Sequence, residues 1–170
     1  NDFKDILIRG TLWNINGEKF DRINIELSHQ NAVKLNQQRQ RLTEGGYLAK
    51  GNLILNDNKK IKIKIRAKGD RALHREDFTN MSFKIDVKGS DRVFNLEEFS
   101  IQQPILRNYG WELLISNIAI KQGLVAAKIK PVAFSVNGTY RGIYFIEESF
   151  TEESLEVANK KVGPIFSLDE

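Results

Sequence analysis

The sequence predicts an α+β fold, in which a twisted and mainly antiparallel sheet carries one long packed helix. Apolar and polar residues alternate with a period of two along much of the chain, a pattern typical of strands with one buried face. Asn-Gly dipeptides join apolar runs at two places, as in tight hairpins. A long apolar stretch after Pro104 supplies the helix. No linker, repeat or low-complexity segment divides the chain, so we expect a single domain over residues 1–170.

Two hairpins separated by a helix are predicted in the N-terminal half. The first pairs residues 6–13 with residues 23–27 through a turn at Asn16-Gly17. Ser28 is a suitable N-cap for a polar helix that runs towards Thr43 and ends at Gly45-Gly46. The second hairpin pairs residues 47–55 with residues 60–68 through a turn at residues 56–58.

Four strands and two helices are predicted in the C-terminal half, after a charged loop at residues 70–79. The strands are expected at residues 81–88, 93–96, 131–136 and 143–147, with Asn137-Gly138 as the turn between the last two. The long helix begins at Pro104, which suits a first helical turn, and ends at Gly123. A short helix with an acidic first turn is expected at residues 151–159.

Composition narrows the classes of function. With 41% hydrophobic residues the chain can bury a core. Its net charge of +4 favours anionic partners but is far below that of a dedicated nucleic-acid binder, so we expect no specific nucleic acid. The absence of cysteine excludes disulfides and thiolate metal sites. No apolar run approaches the roughly 18 residues of a membrane span. Because the chain begins with Asn1 rather than Met, we expect it to come from a longer protein.

The clearest chemical feature is a pair of basic strands. Period-two alternation over residues 61–68 puts isoleucines on one face and lysines and arginine on the other. Residues 81–88 repeat the pattern, so Arg66, Lys68 and Lys84 share a polar face if the two strands pair. A guanidinium fork beside mobile ammonium groups suits a phosphate. A solvated face, whose lysines only protect the sheet against edge pairing, explains the same pattern.

Other candidate sites are weaker. His29 and His74 have no metal-ligand spacing. Glu147 and Glu148 end the last strand, but adjacent strand residues face opposite ways and cannot act together on one substrate. Arg107, in the first turn of the long helix, is a further candidate for holding a carboxylate or phosphate, although most arginines on helix surfaces hold neither.

Taken in order, these motifs resemble the N-terminal half of the spore coat protein H (CotH) kinase family, over about residues 20–168. Arg66-Ala67-Lys68-Gly69 is similar to the family's R-x-K-G, and Ser82-Phe83-Lys84-Ile85 to its S-[FY]-[RK]-I. Leu106-Arg107 opens a helix that Gly123 closes, as in the family. The run from Val136 to Tyr144, followed by Glu147, resembles the V-N-G-x-Y-x-G-x-Y motif, and residues 23–28 lead into a helix in the same manner.

The resemblance implies the small lobe of an atypical protein-kinase-like fold, which in the complete parent uses ATP and Mg²⁺ to phosphorylate serines of a protein substrate. It implies nucleotide or phosphate contacts from Arg66, Lys68 and Lys84, and a position for Glu147 near the connection to a C-terminal catalytic lobe. Glu112, on the packed helix, is the acid expected to compensate the clustered basic residues, like the lysine–glutamate pair of ordinary kinases.

Two departures from the family bear on activity. Asn80 and Met81 stand where the family usually carries lysine, and the metal-binding large lobe is absent from this sequence. We therefore expect no catalysis and no cofactor from this chain alone. The alternative is a non-catalytic CotH-like binding or structural module of a bacterial exported surface or spore-coat protein, which contacts protein or anionic polymer through its sheet.

Overall fold

Seven strands close into a barrel in the computed structural model of the chain, which describes residues 20–38, 47–56, 59–68 and 81–149, together with Leu155. In chain order the strands are β1 (Asp21–Glu26), β2 (Ala49–Leu55), β3 (Lys59–Ala67), β4 (Phe83–Val87), β5 (Glu98–Gln102), β6 (Ile129–Val136) and β7 (Thr139–Glu148). The order around the barrel is β1-β2-β3-β4-β5-β7-β6. Helix α1 spans His29–Gln38, a 3₁₀ helix spans Pro104–Gly110, and helix α2 spans Trp111–Lys121.

The expected α+β fold, a twisted and mainly antiparallel sheet with one long packed helix, is wrong, because the strands close into a barrel and the helices are short. All neighbouring strands are antiparallel except β1 and β6, whose parallel pairing closes the barrel. The predicted helix from Pro104 to Gly123 is broken, because Asn108, Tyr109 and Gly110 all have positive φ and end the 3₁₀ helix before α2 begins. Alternation reveals the faces of a strand but not which distant strand lies beside it, so the sequence pattern did not reveal closure.

The inward and outward faces of the strands are as the alternation predicts. Ile61, Ile63 and Ile65 of β3 and Phe83 and Ile85 of β4 are buried in the barrel interior. The predicted pairing of the two basic strands is confirmed, because β3 and β4 are antiparallel neighbours. The aromatic centre of the core is Phe134, whose ring lies 4.8 Å from that of Tyr144 and 6.0 Å from that of Phe83, both at tilted angles.

Two of the predicted hairpins, β2–β3 and β6–β7, are confirmed. β2 and β3 pair from Ala49–Ile65 to Leu55–Lys59. β6 and β7 are joined by Asn137 and Gly138, whose φ values of 49° and 76° give the left-handed turn that this dipeptide favours. The predicted strand at residues 93–96 is wrong, because Phe94 and Asn95 form a turn with positive φ inside a single Val93–Leu96 bridge. The strand in this part of the chain is β5, at Glu98–Gln102.

Helix α1 begins as predicted and packs on the barrel. The Ser28 hydroxyl accepts a hydrogen bond from the Asn31 backbone N–H, as an N-cap does. Leu35, farther along the helix, is fully buried and belongs to the same core cluster as the residues of the barrel interior. The predicted end of this helix, at residues 43–46, lies outside the described residues, as do the loop at residues 70–79 and all of the helix at residues 151–159 except Leu155.

The first predicted hairpin does not fit the barrel. Both edges of β1 are occupied, by β2 on one side and β6 on the other. Residues 6–13, the proposed partner strand, lie outside the described residues, and β1 offers them no free edge. No helix in the described part of the chain is long and apolar enough to cross a membrane.

Helix α2 covers one outer wall of the barrel. Its buried Leu113 packs on Ile143 and Phe145, which point outward from β7 and form a small second core. Gly110 lies directly against this wall, since a Cβ there would sit 3.6 Å from the Phe145 ring. Both faces of β7 after Gly142 are therefore covered, one by the barrel interior and the other by α2.

Candidate anion-binding face

Strand register brings Arg66 and Lys84 together. Arg66 lies directly opposite Lys84 on the outward side of the β3–β4 pair, and the same row continues to Ser100 on β5 and Glu147 on β7. Opposed residues of antiparallel strands have Cβ atoms about 5 Å apart, so these long side chains share one surface. The predicted common face of Arg66, Lys68 and Lys84 is present.

The positive charge of Lys84 is offset by an ion pair with Glu98. The Lys84 Nζ lies 2.5 Å from Glu98 Oε1, one step diagonally across the β4–β5 pair. Partial burial raises the pKa of the Glu98 carboxyl, but the hydrogen bond and charge of Lys84, with smaller contributions from Ser149 and Arg66, outweigh burial and lower the pKa overall. Glu98 is therefore ionised at neutral pH and offsets much of the Lys84 charge.

Lys68 belongs to a polar cluster with Ser100, Gln102 and Glu147, hereafter the Lys68 cluster. Its ammonium donates to Ser100 Oγ at 2.9 Å, across β4, and lies 3.5 Å from Glu147 Oε2. The Gln102 amide nitrogen donates to the same Glu147 oxygen. The other end of that amide, Gln102 Oε1, is buried and accepts no hydrogen bond from the described residues. Lys68 and Glu147 thus hold each other on the sheet surface.

The outward side chains of β3 carry an excess of positive charge. Lys62, Lys64 and Arg66 follow one another on this face, and Lys64 has Lys50 of β2 on one side and Asp86 of β4 on the other. Lys62 and Arg66 are exposed. Among the described residues, Lys62, Lys64 and Arg66 form no ion pair, in contrast to Lys60, which is paired with Glu26 at 2.7 Å. We call Lys62, Lys64, Arg66 and Lys84 the β3–β4 cationic face.

The other two predicted site residues belong to the helical segment between β5 and β6. Glu112 is half-buried in the first turn of α2. The acids seen beside the basic residues are Glu98 and Glu147, so the compensating role expected of Glu112 stays a prediction. Arg107 belongs to the 3₁₀ helix, and its side chain lies outside the described residues. Within the described part of the chain, no three acidic or histidine side chains come together as metal ligands would.

Three members of the site were missed by sequence reasoning. Glu98, Ser100 and Gln102 alternate along β5 with Phe99 and Ile101, whose side chains fill the barrel interior. Ser100 and Gln102 are buried too, on the opposite side of the sheet. That alternation was the available signal. The sequence analysis instead predicts a strand at the neighbouring residues 93–96.

Neither the comparison with protein-family models nor the comparison with curated protein sequences gives a match for this chain.

Proposed function

We propose that this chain is a non-catalytic binding module that takes an anionic group on the β3–β4 cationic face. One observation carries the proposal: Arg66 is exposed, forms no ion pair among the described residues, and lies opposite Lys84. Like charges held side by side on a sheet repel each other and lower its stability. Glu98 forms its ion pair with Lys84 and interacts more weakly with Arg66, so one carboxylate faces two cations and an anion bound between them relieves the remaining repulsion.

The chemistry favours phosphate or clustered carboxylate as the group that binds. A guanidinium presents parallel N–H donors that match two oxygens of one phosphate or carboxylate. Lys64 lies one outward position along β3 from Arg66 and adds a flexible charge. Because the face is solvent-exposed, salt should weaken the interaction, with a Debye length of about 8 Å at physiological ionic strength.

Charge-reversal variants test this proposal. Calorimetry with tripolyphosphate should show binding that Arg66→Glu weakens at least tenfold. Lys121→Glu, an exposed change of equal charge on α2, should change the dissociation constant less than twofold. Equal losses from both variants would mean that net charge alone acts. Absence of binding by the unaltered chain at low salt would leave a solvated face as the better account.

A second candidate is the nucleotide-side part of a CotH-like kinase. The Lys68–Glu147 ion pair favours it, because the resemblance implies a phosphate contact from Lys68 and a position for Glu147 near the connection to the catalytic lobe. The closed barrel is not the kinase-like lobe that the resemblance implies, and the described residues offer no metal site, so we rank this function second. The basic residues of the face suit ATP phosphates, and Mg²⁺ would need ligands from elsewhere in the parent.

Comparison of ATP with tripolyphosphate separates the two candidates. A nucleotide site should bind ATP at least tenfold more tightly than tripolyphosphate, and Lys68→Met should remove that preference. A general anion face should bind the two ligands with similar affinity, because their charges are similar, and should depend on Arg66 more than on Lys68. A strong ATP preference that survives Lys68→Met would contradict both a general anion face and a nucleotide site that depends on Lys68.

A further inference from the structure

Beside each of the three cations of β3 that form no ion pair among the described residues lies a second basic residue, on β2 or β4. Lys84 and Lys50 take these positions through the strand register. Lys88 takes the third, because its backbone N–H donates to the Lys62 carbonyl at 2.9 Å. The β3–β4 cationic face is thus part of a larger set, which we call the six-cation surface and which consists of three pairs: Arg66 with Lys84, Lys64 with Lys50, and Lys62 with Lys88.

The formal net charge of the chain is concentrated on this surface. Among the described residues, the acids that lie within it are Asp86, opposite Lys64, and Glu98, paired with Lys84. Six cations against two acids leave four positive charges, which equals the formal net charge of +4 of the whole chain. The rest of the sequence is therefore formally neutral, so a polyanion is attracted to this surface rather than to the molecule in general.

The run of unpaired cations on β3 stops at an ion pair on each side. Lys60 precedes the run and lies 2.7 Å from Glu26, and Lys68 follows it and lies 3.5 Å from Glu147. Consecutive outward residues of a strand are about 6.6–6.8 Å apart, so the three cations between these ion pairs span about 13 Å. The run therefore matches a ligand whose charges recur at intervals of about 7 Å, rather than one compact anion.

The six-cation surface offers charge and hydrogen-bond donors without a platform for stacking. Its members are lysines and an arginine, and the outward residues beside Lys62 and Lys64 are Asn52 and Asp86. Single-stranded nucleic acid is normally held by aromatic side chains as well as by cations. A peptide cannot bind by adding a strand here, because β2, β3 and β4 are each paired on both edges. The surface thus favours a polymer that presents only a repeated charge.

We propose that the six-cation surface binds a linear phosphodiester polymer without aromatic bases, of the polyol phosphate class, laid along β3. This inference rests on the anion-binding function proposed above and names its ligand. Consecutive phosphorus atoms of a three-carbon polyol phosphate are separated by as many bonds as consecutive outward Cα atoms of a strand, so the two extended repeats have similar lengths. Each phosphate meets one pair of basic residues, and the Arg66 guanidinium matches two oxygens of one phosphate.

Glycerol phosphate oligomers of defined length test the repeat. Calorimetry at low salt should show the affinity rising about tenfold with each phosphate from one to three, because each added phosphate meets a further cation pair from a tethered position. Longer oligomers should gain little more, because their additional phosphates reach Lys60 and Lys68, which are already paired with acids. Tripolyphosphate is measured under the same conditions. Its phosphates share bridging oxygens, so it fits between Arg66 and Lys84 without reaching the other end of the run.

Lys62→Glu separates polymer binding from the binding of one compact anion. Lys62 and Arg66 lie at opposite ends of the run. The three-phosphate oligomer should therefore bind to this variant at least tenfold more weakly, whereas the affinity for tripolyphosphate should change less than twofold. Lys121→Glu, the change of equal charge on α2, should alter neither affinity more than twofold. Equal losses of both ligands in Lys62→Glu would mean that net charge alone acts, and would contradict the proposal.

Other results would also overturn the proposal. If the three-phosphate oligomer bound no more tightly than glycerol phosphate while tripolyphosphate still bound, the anion-binding face would remain but the polymer would be excluded. Tighter binding of an oligothymidylate with the same number of phosphates would assign the surface to single-stranded nucleic acid. Tighter binding of a glutamate peptide of equal charge would assign it to an acidic protein segment. Absence of binding by every ligand, tripolyphosphate included, would remove the anion-binding function itself.

Discussion

Individual side chains on the β3–β4 cationic face differ in how much of their charge they can offer to a ligand. Lys84 is held by Glu98, and Lys68 is held by Glu147 and Ser100. Arg66 has no such partner among the described residues. An incoming anion must therefore compete with the Glu98 ion pair for Lys84, whereas Arg66 has only a weaker electrostatic interaction with Glu98. The acids that stabilise the empty face also limit its affinity.

Glu98→Gln should strengthen anion binding. The substitution removes the charge that competes for Lys84, so we expect tripolyphosphate to bind three- to tenfold more tightly. Calorimetry at low and physiological salt measures the change. Glu26→Gln is the matched control, because it removes an acid of another β-strand ion pair, that with Lys60, and should have less than twofold effect. Equal strengthening by both variants would indicate that only net charge matters.

At the scale of elements, the β6–β7 hairpin is fixed to β1 as well as to itself. The Asn137 side-chain oxygen accepts a hydrogen bond from the Leu27 backbone N–H at 2.7 Å, and the Asn137 N–H donates to the Ile25 carbonyl. The Gly138 N–H donates to the side-chain oxygen of Asn24 at 3.0 Å. The turn therefore locks the end of the parallel β1–β6 pair.

Substitutions in this turn should separate backbone strain from lost hydrogen bonding. Gly138→Ala has open space around the new methyl group, so its cost comes from the positive φ alone, about 1–2 kcal/mol. Asn137→Ala also leaves the Leu27 N–H without its acceptor and should cost more, about 2–3 kcal/mol. Urea unfolding measures both. A smaller loss for Asn137→Ala than for Gly138→Ala would show that the link to β1 contributes nothing.

At the scale of the whole molecule, closure of the barrel depends on β1 meeting β6. Asp21 strengthens that seam, because its carboxylate accepts from Lys130 of β6 at 2.7 Å and from Asn56, beyond the end of β2, also at 2.7 Å. Partial burial raises the pKa of Asp21, but the hydrogen bonds from Lys130 and Asn56 and the charge of Lys130 outweigh it and lower the pKa overall. The Asp21 carboxylate thus links β1 to β6 and to the residue that follows β2.

Stability should therefore depend on pH through Asp21. Because folding lowers its pKa, its contribution is complete above the pKa of the unfolded chain and is lost as the pH falls through the pKa of the folded state. Asp21→Asn should lower the free energy of unfolding by up to about 1 kcal/mol near pH 7, since the pair is partly exposed. The difference between the two proteins should shrink in acid. A difference that stays constant or grows as the pH falls would contradict this assignment.

The sequence alone determined the local features of this protein. Alternation identified the inward isoleucines of β3 and the outward cations opposite them, because the side-chain period of a strand is fixed by backbone geometry. Asn137-Gly138 identified the turn between β6 and β7, because few dipeptides accept two positive φ values. Ser28 identified the start of α1 through its capping hydroxyl. Each of these needs only neighbouring residues.

Only the tertiary structure decided which strands meet and which charges lie together. The parallel β1–β6 pair closes the barrel although its members are distant in sequence, and no local pattern encodes that choice. Glu147 meets Lys68 because β5 brings Ser100 and Gln102 between them. The break at Asn108–Gly110 likewise lets α2 lie on Phe145 rather than continue one long helix. These features depend on packing between distant segments, whose free energy exceeds the local preferences of the chain.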